Sequence, residues 1–204
     1  MPRVSAEHLA VRRDHIVAAA LRCFARDGFH ATSVRDVVRE SGLSAGAVYS
    51  YFRSKDDLVA AAVEPVVEGL LHAVDEAVLD RGASPGEVVG RLLERIYPLV
   101  VEGDVDYTRI AVTAWAEGLR DPAVRGIAQR TYGRVRERLS ECVAHWRDAG
   151  HLPNDTDPEV LGQLLFSVVV GFVMQHALLG DVDPHRYAAA ATLLLPPAHG
   201  GADR

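Results

Sequence analysis

The chain has 204 residues, 49% of them apolar and 25% charged, enough for one small domain and one of ordinary size, each with its own core. No apolar run follows a basic start at the N-terminus, so a secretory leader is not expected and the chain reads as cytoplasmic. The only two cysteines, Cys23 and Cys142, lie far apart on predicted helices, which excludes a disulfide framework and reads as reduced, partly buried thiols.

The net charge of −6 divides unevenly. Residues 1–57 hold nine Lys or Arg against seven Asp or Glu, and the remainder holds 13 against 21. A slightly basic front and an acidic body suit a protein that presents its N-terminal end to phosphates.

The first predicted helix has Ile16, Ala20, Leu21 and Phe24 as its buried line and stops at Gly28. Arg3, Arg12 and Arg13 precede that line and read as a basic arm able to reach a minor groove or phosphates. Ser33 then opens a second helix, with Asp36 three places on to complete a capping box. Val34, Val37 and Val38 share one face, and Gly42 supplies the left-handed residue that ends it. Ser44 caps a third helix whose buried face is Val48 and Phe52. Ser54 starts the fourth, with Asp57 in the capping-box position. Two short helices crossing at a glycine turn form a helix-turn-helix, whose second helix enters a major groove.

These residues carry a family resemblance. The run over residues 16–58, with F-x-x-x-G-F-x-x-T-S-V near its start and G-L-S-x-G-A-V-Y-x-Y-F-x-S-K-D-x-L near its end, resembles the TetR family of bacterial transcriptional regulators. The resemblance implies an all-α homodimer of about nine helices per chain. A three-helix helix-turn-helix DNA-binding domain over residues 1–57 would precede a helical effector-binding and dimerisation domain over residues 58–204.

Roles follow from the matching positions. Lys55, the only lysine among 22 basic residues, falls where the family motif has one, at the start of the helix after the recognition helix, as a phosphate contact. Thr32 or Ser33 matches the helix-start phosphate contact, and Tyr49 and Tyr51 the backbone-contacting and groove-facing aromatics. Ser44, Ala45, Gly46, Ala47 and Ser50 match the positions that approach base edges. All five are small, with no Lys, Arg, Gln or Asn for a bidentate base contact. Ala45 and Ala47 suit thymine methyls and Gly46 close approach. Arg35 or Arg39 would reach from the preceding helix, and DNA shape would supply the rest.

Later helix starts are of one kind. Ser84-Pro85, Asp121-Pro122, Asp157-Pro158 and Asp183-Pro184 each put a capping residue before a proline at the first helical position. Helices are expected at about 55–80, 85–102, 105–119, 122–149, 158–180 and 184–195, with Pro65 and Pro98 kinking or dividing theirs. No stretch shows sustained strand alternation.

The helix over residues 158–180 is the most apolar. Gln163, Gln175 and His176 interrupt it and leave an unbroken apolar core of about 11 residues, against the roughly 20 of a membrane span, so no membrane partner is expected. Leu161, Leu165, Val168 and Phe172, with Ala188 and Ala191 on the next helix, resemble the helices that pair with their symmetry mates in the family. Two-fold symmetry implies a near-palindromic operator in double-stranded DNA.

The resemblance also implies a small-molecule effector. Tyr97, Tyr107, Trp115, Tyr132, Phe166, Phe172, Met174 and Gln175 are the candidates to line its cavity, with Arg109, Thr113 or His176 as polar contacts, which suits an apolar or amphipathic ligand. No cofactor or metal is expected, because the histidines are scattered and no His-x-x-x-His, Cys-x-x-Cys or phosphate-cradling glycine loop occurs. An enzyme therefore finds no support. The reading is a ligand-responsive regulator, most simply a repressor. The alternatives are the same fold as an activator or answering to a protein partner, and a non-regulatory DNA-binding module.

Overall fold

The computed structural model describes residues 6–79, 85–101 and 107–194. Among them nine helices and no strand occur: α1 (Ala6–Ala31), α2 (Val34–Ser41), α3 (Ala45–Tyr51), α4 (Lys55–Leu79), α5 (Pro85–Val101), α6 (Tyr107–Gly118), α7 (Pro122–Asp148), α8 (Pro158–Leu179) and α9 (Pro184–Leu194). The four proline starts are the observed starts of α5, α7, α8 and α9. At α8 the Asp157 carboxylate accepts from the backbone N–H groups of Glu159 and Val160 at 2.9 and 3.3 Å, satisfying donors that the first turn leaves without partners.

Two compact units form. The first comprises residues 1–65 and 104–129, the second residues 66–103 and 130–204. The first therefore extends beyond residue 57, and the reason lies in its core. Ile16, Phe24, Phe29, Val37, Val48, Phe52 and Leu58 are buried together with Ile110 of α6 and Ile127 of α7. Phe24 and Phe29 stack with centroids 4.7 Å apart, on either side of Gly28, where α1 breaks at φ 78°. In the second unit α5 lies along α9. Buried in it are Leu92, Leu93 and Ile96 of α5, Val135, Leu139 and Trp146 of α7, and Leu165, Val169 and Phe172 of α8.

Several expectations change. Arg12 and Arg13 lie inside α1, which starts at Ala6, and so do not belong to a loose arm; Arg3 falls outside the described residues. Pro65 does not divide α4, which is continuous through it, although the boundary between the units falls at that proline. By length and composition α8 is apolar enough to cross a membrane, with mean hydropathy 1.7 over an 18-residue window, and only 28% of that window is buried. The sequence reading counted only the uninterrupted apolar run, whereas isolated Gln and His residues lower the average little.

Candidate nucleic-acid interface

The helix-turn-helix is built from local hydrogen bonds. Ser33 Oγ accepts from the Asp36 N–H at 3.3 Å and the Asp36 carboxylate accepts from the Ser33 N–H at 2.9 Å, a complete capping box. Asp36 also accepts from the Ser33 hydroxyl at 2.6 Å. These bonds hold its carboxyl below the ordinary value of 3.8, the Ser33 hydroxyl contributing most. Gly42, at φ 67°, turns the chain, and its N–H donates to the Arg39 carbonyl. The His15 Nε2–H donates to the Ser41 carbonyl at 2.8 Å and ties α1 to that turn; a carbonyl only accepts, so this fixes the tautomer.

α3 follows from Ser44, whose hydroxyl accepts from the Ala47 N–H at 3.2 Å. Val48 and Phe52 face the core. Ala45, Gly46, Tyr49 and Ser50 are exposed, with Tyr49 at 48%. A Cβ built on Gly46 would meet nothing within 4 Å. The exposed face of α3 is thus smooth, uncharged and open, apart from one aromatic ring. Ser50 turns its hydroxyl back to the Ala47 carbonyl at 2.6 Å, and Tyr51 packs partly against the core.

Around α3 the predicted positions divide. Ser33 is exposed but gives its hydroxyl and backbone protons to Asp36, whereas Thr32 is buried with its hydroxyl donating to the Gly28 carbonyl at 2.8 Å. Arg39 pairs with Asp36 at 3.0 Å, while Arg35 is exposed without an ion-pair partner among the described residues. At the start of α4, Asp57 accepts from the backbone N–H groups of Arg53 and Ser54 at 2.9 and 3.1 Å. Lys55 Nζ donates to the His30 carbonyl at 3.3 Å, which steadies the ammonium beside α3 and leaves it further protons to donate.

The effector candidates belong to both units. Tyr107 and Trp115 belong to the first unit, and Tyr97, Tyr132, Phe166, Phe172, Met174 and Gln175 to the second. Tyr97 and Phe172 meet edge-on with centroids 6.1 Å apart, and His176 lies 5.8 Å from Tyr97. Tyr132 instead pairs with Phe166 at 5.3 Å, and Gln175 is exposed. Thr113 spends its hydroxyl on the Arg109 carbonyl at 2.8 Å. Sequence reasoning missed Tyr187, which packs 5.3 Å from Phe172 and donates to the Val168 carbonyl at 3.3 Å; an aromatic residue one turn into α9 was the available signal. His176 Nδ1 is buried and has no hydrogen-bond partner among the described residues.

The predicted pairing residues differ in exposure. Leu165, Phe172 and Ala188 are buried within the chain, and Leu161 and Val168 are half-buried, because the side of α8 that carries them is the side its own unit covers. The exposed apolar side carries Val160 at 61%, Leu164 at 59% and Leu178 at 67%. Ala191 lies in α9, with its side chain outside the described residues.

Residues 16–62 match the family of bacterial regulatory proteins named tetR, and residues 85–195 match the C-terminal family of BetI-type transcriptional repressors. The chain belongs to the TetR family. It is 29% identical over 199 residues to the HTH-type transcriptional repressor Rv1474c of Mycobacterium tuberculosis (strain ATCC 25618 / H37Rv), covering 95% of this chain and 96% of that protein. Its fold matches Salmonella enterica GusR with a TM-score of 0.72 at 22% identity, over 95% of this chain and 99% of that one. It also matches Bacillus subtilis FadR in complex with stearoyl-CoA, with a TM-score of 0.75 at 17% identity over 89% and 96%. The protein is a TetR-family transcriptional regulator with a DNA-binding helix-turn-helix, and repressors are among its relatives.

Proposed function

We propose that this regulator is a cytoplasmic homodimeric repressor that binds a near-palindromic operator and leaves it when a small apolar or amphipathic molecule occupies its C-terminal part. The observation that carries the reading is α3, a capped helix with a buried Val48 and Phe52 side and an open outer side of Ala45, Gly46, Tyr49 and Ser50. Such a helix suits close approach to base edges, with Arg35, Tyr49 and Lys55 holding the backbone on either side. Residues 1–57 are the DNA-reading part in this scheme, and residues 58–204 the pairing and sensing part.

Pairing is supported by α8, whose Val160, Leu164 and Leu178 stand on one exposed stripe at helical spacing. A second copy related by two-fold symmetry would cover that stripe with its own. Sensing is supported by the aromatic cluster of Tyr97, Phe172 and Tyr187 around His176. The amphipathic ligand of FadR is of the class such a cluster suits. Release requires the ligand to favour a conformation whose recognition helices no longer match the operator.

The test is selection of bound duplexes from a random DNA library by the purified protein, followed by titration of the selected duplex at two salt concentrations. A near-palindromic site with a steep salt dependence is expected. Enrichment of no site would overturn the operator reading.

A further inference from the structure

The basic side chains of the first unit fall into two groups. Arg22 and Arg26 share Glu40 at 2.8 and 3.2 Å, Arg26 also meets Asp27 at 3.0 Å, and Arg39 meets Asp36. Those charges are answered within the protein. Arg13 and Arg53 are exposed, and neither has an ion-pair partner among the described residues, although Asp14 and Asp56 lie close in sequence. A chain with 28 acidic residues to 22 basic ones has counter-charges in surplus, yet these two, like Arg12 and Arg35, are left without an ion-pair partner among the described residues.

Both arginines adjoin Phe52, Arg13 in space and Arg53 in sequence. The Arg13 guanidinium carbon stands 5.6 Å from the centroid of Phe52. Arg53 follows Phe52 in the chain, with its backbone N–H anchored to the Asp57 carboxylate at 2.9 Å. Phe52 is only 3% exposed and caps the C-terminal end of α3, so the core fixes the position of the ring. A guanidinium lying over an aromatic ring uses its face and keeps its N–H edge free to donate.

α3 itself, Ala-Gly-Ala-Val-Tyr-Ser-Tyr, has no charged side chain. The salt-dependent attraction to DNA comes from cations that neutralise phosphates, so here it must come from residues beside the recognition helix, and Lys55 is a single charge. We propose that Arg13, which lies over Phe52, and Arg53, the next residue after it, together form a phosphate clamp, gripping the DNA backbone at the C-terminal end of α3. The clamp rests on the operator-binding reading above. It acts on the backbone alone, and therefore strengthens binding to any duplex without changing which sequence is preferred.

The test uses the full chain and two duplexes, the one selected from the random library and one of unrelated sequence, titrated between about 50 and 200 mM salt. Arg13→Gln and Arg53→Gln are each expected to reduce the salt-induced loss of affinity over that range by about 3.5-fold, and the double substitution by about twelvefold. The reductions should be equal on both duplexes. Arg13→Lys should keep the parent's salt dependence, and all variants the parent's melting temperature. Unchanged salt dependence in the Gln variants, with a parent that binds, overturns the clamp and leaves the regulator reading intact. Weaker binding with unchanged salt dependence and a lowered melting temperature also overturns it, leaving Arg13 as a cover for Phe52. A parent that binds neither duplex removes both readings.

Discussion

At Lys55 a single ammonium is held by a carbonyl from another helix, that of His30. The bond costs the protein no charge, because a carbonyl does not neutralise a cation, and it limits where the side chain points. Lys55→Ala should therefore weaken operator binding and lower the salt slope by about 0.9, with an unchanged far-ultraviolet spectrum; an unaltered slope would remove Lys55 from the contact surface. Asp36 offers a pH test. Its carboxyl is held below its ordinary value by Ser33, so its contribution to stability is complete above that ordinary value and is lost as pH falls through the lowered one. Asp36→Asn should lower the urea midpoint at pH 7, and its difference from the parent should close as the pH falls below 3.8, the ordinary value; a difference that persists in acid would assign the effect to something other than the carboxylate.

The helix starts were legible because their chemistry is local. A capping residue followed by proline, or Ser followed by an acid three places on, needs no partner elsewhere in the chain, and α2, α4, α5, α7, α8 and α9 begin where such signals stand. The first two turns of α1 were not legible, since residues 6–15 carry no periodic apolar line and none of those whose exposure is described is buried. The inward side of α8 was hidden for the opposite reason. Leu161, Leu164, Leu165 and Val168 look alike in sequence, and only contact with α5, α7 and α9 decides which of them face inward. The aromatic cluster was half legible: its α5 and α8 members were among the candidates, whereas Tyr187, an aromatic one turn into α9, was passed over because only contact ties it to Phe172. At α8 packing can be tested directly. A Cβ on Gly162 would sit 2.5 Å from Ser140 Oγ and 3.0 Å from the Ser140 backbone nitrogen, and the backbone cannot swing aside. Gly162→Ala should destabilise the chain by about 1–3 kcal/mol, read as a lower urea midpoint; an unshifted midpoint would mean that α7 and α8 separate more easily than this contact allows.

For the whole molecule, the two sides of α8 should separate folding from assembly. Leu165→Ala removes buried volume and should cost about 2–5 kcal/mol in any assembly state. Leu164→Glu alters the exposed stripe and should leave the fold's secondary structure unchanged while shifting the sedimentation coefficient from dimer toward monomer. A dimer that persists with Leu164→Glu would move the pairing surface off α8. A separate consequence follows from the way the first unit is assembled from two stretches of chain. Ile110 and Ile127, which close its core, arrive only after the chain has passed through α4 and α5. The first compact unit is therefore not a detachable N-terminal cassette. A chimera that exchanges only residues 1–65 with a relative asks a foreign α6 to fill the host's core, and a functional graft has to carry residues 104–129 along with them.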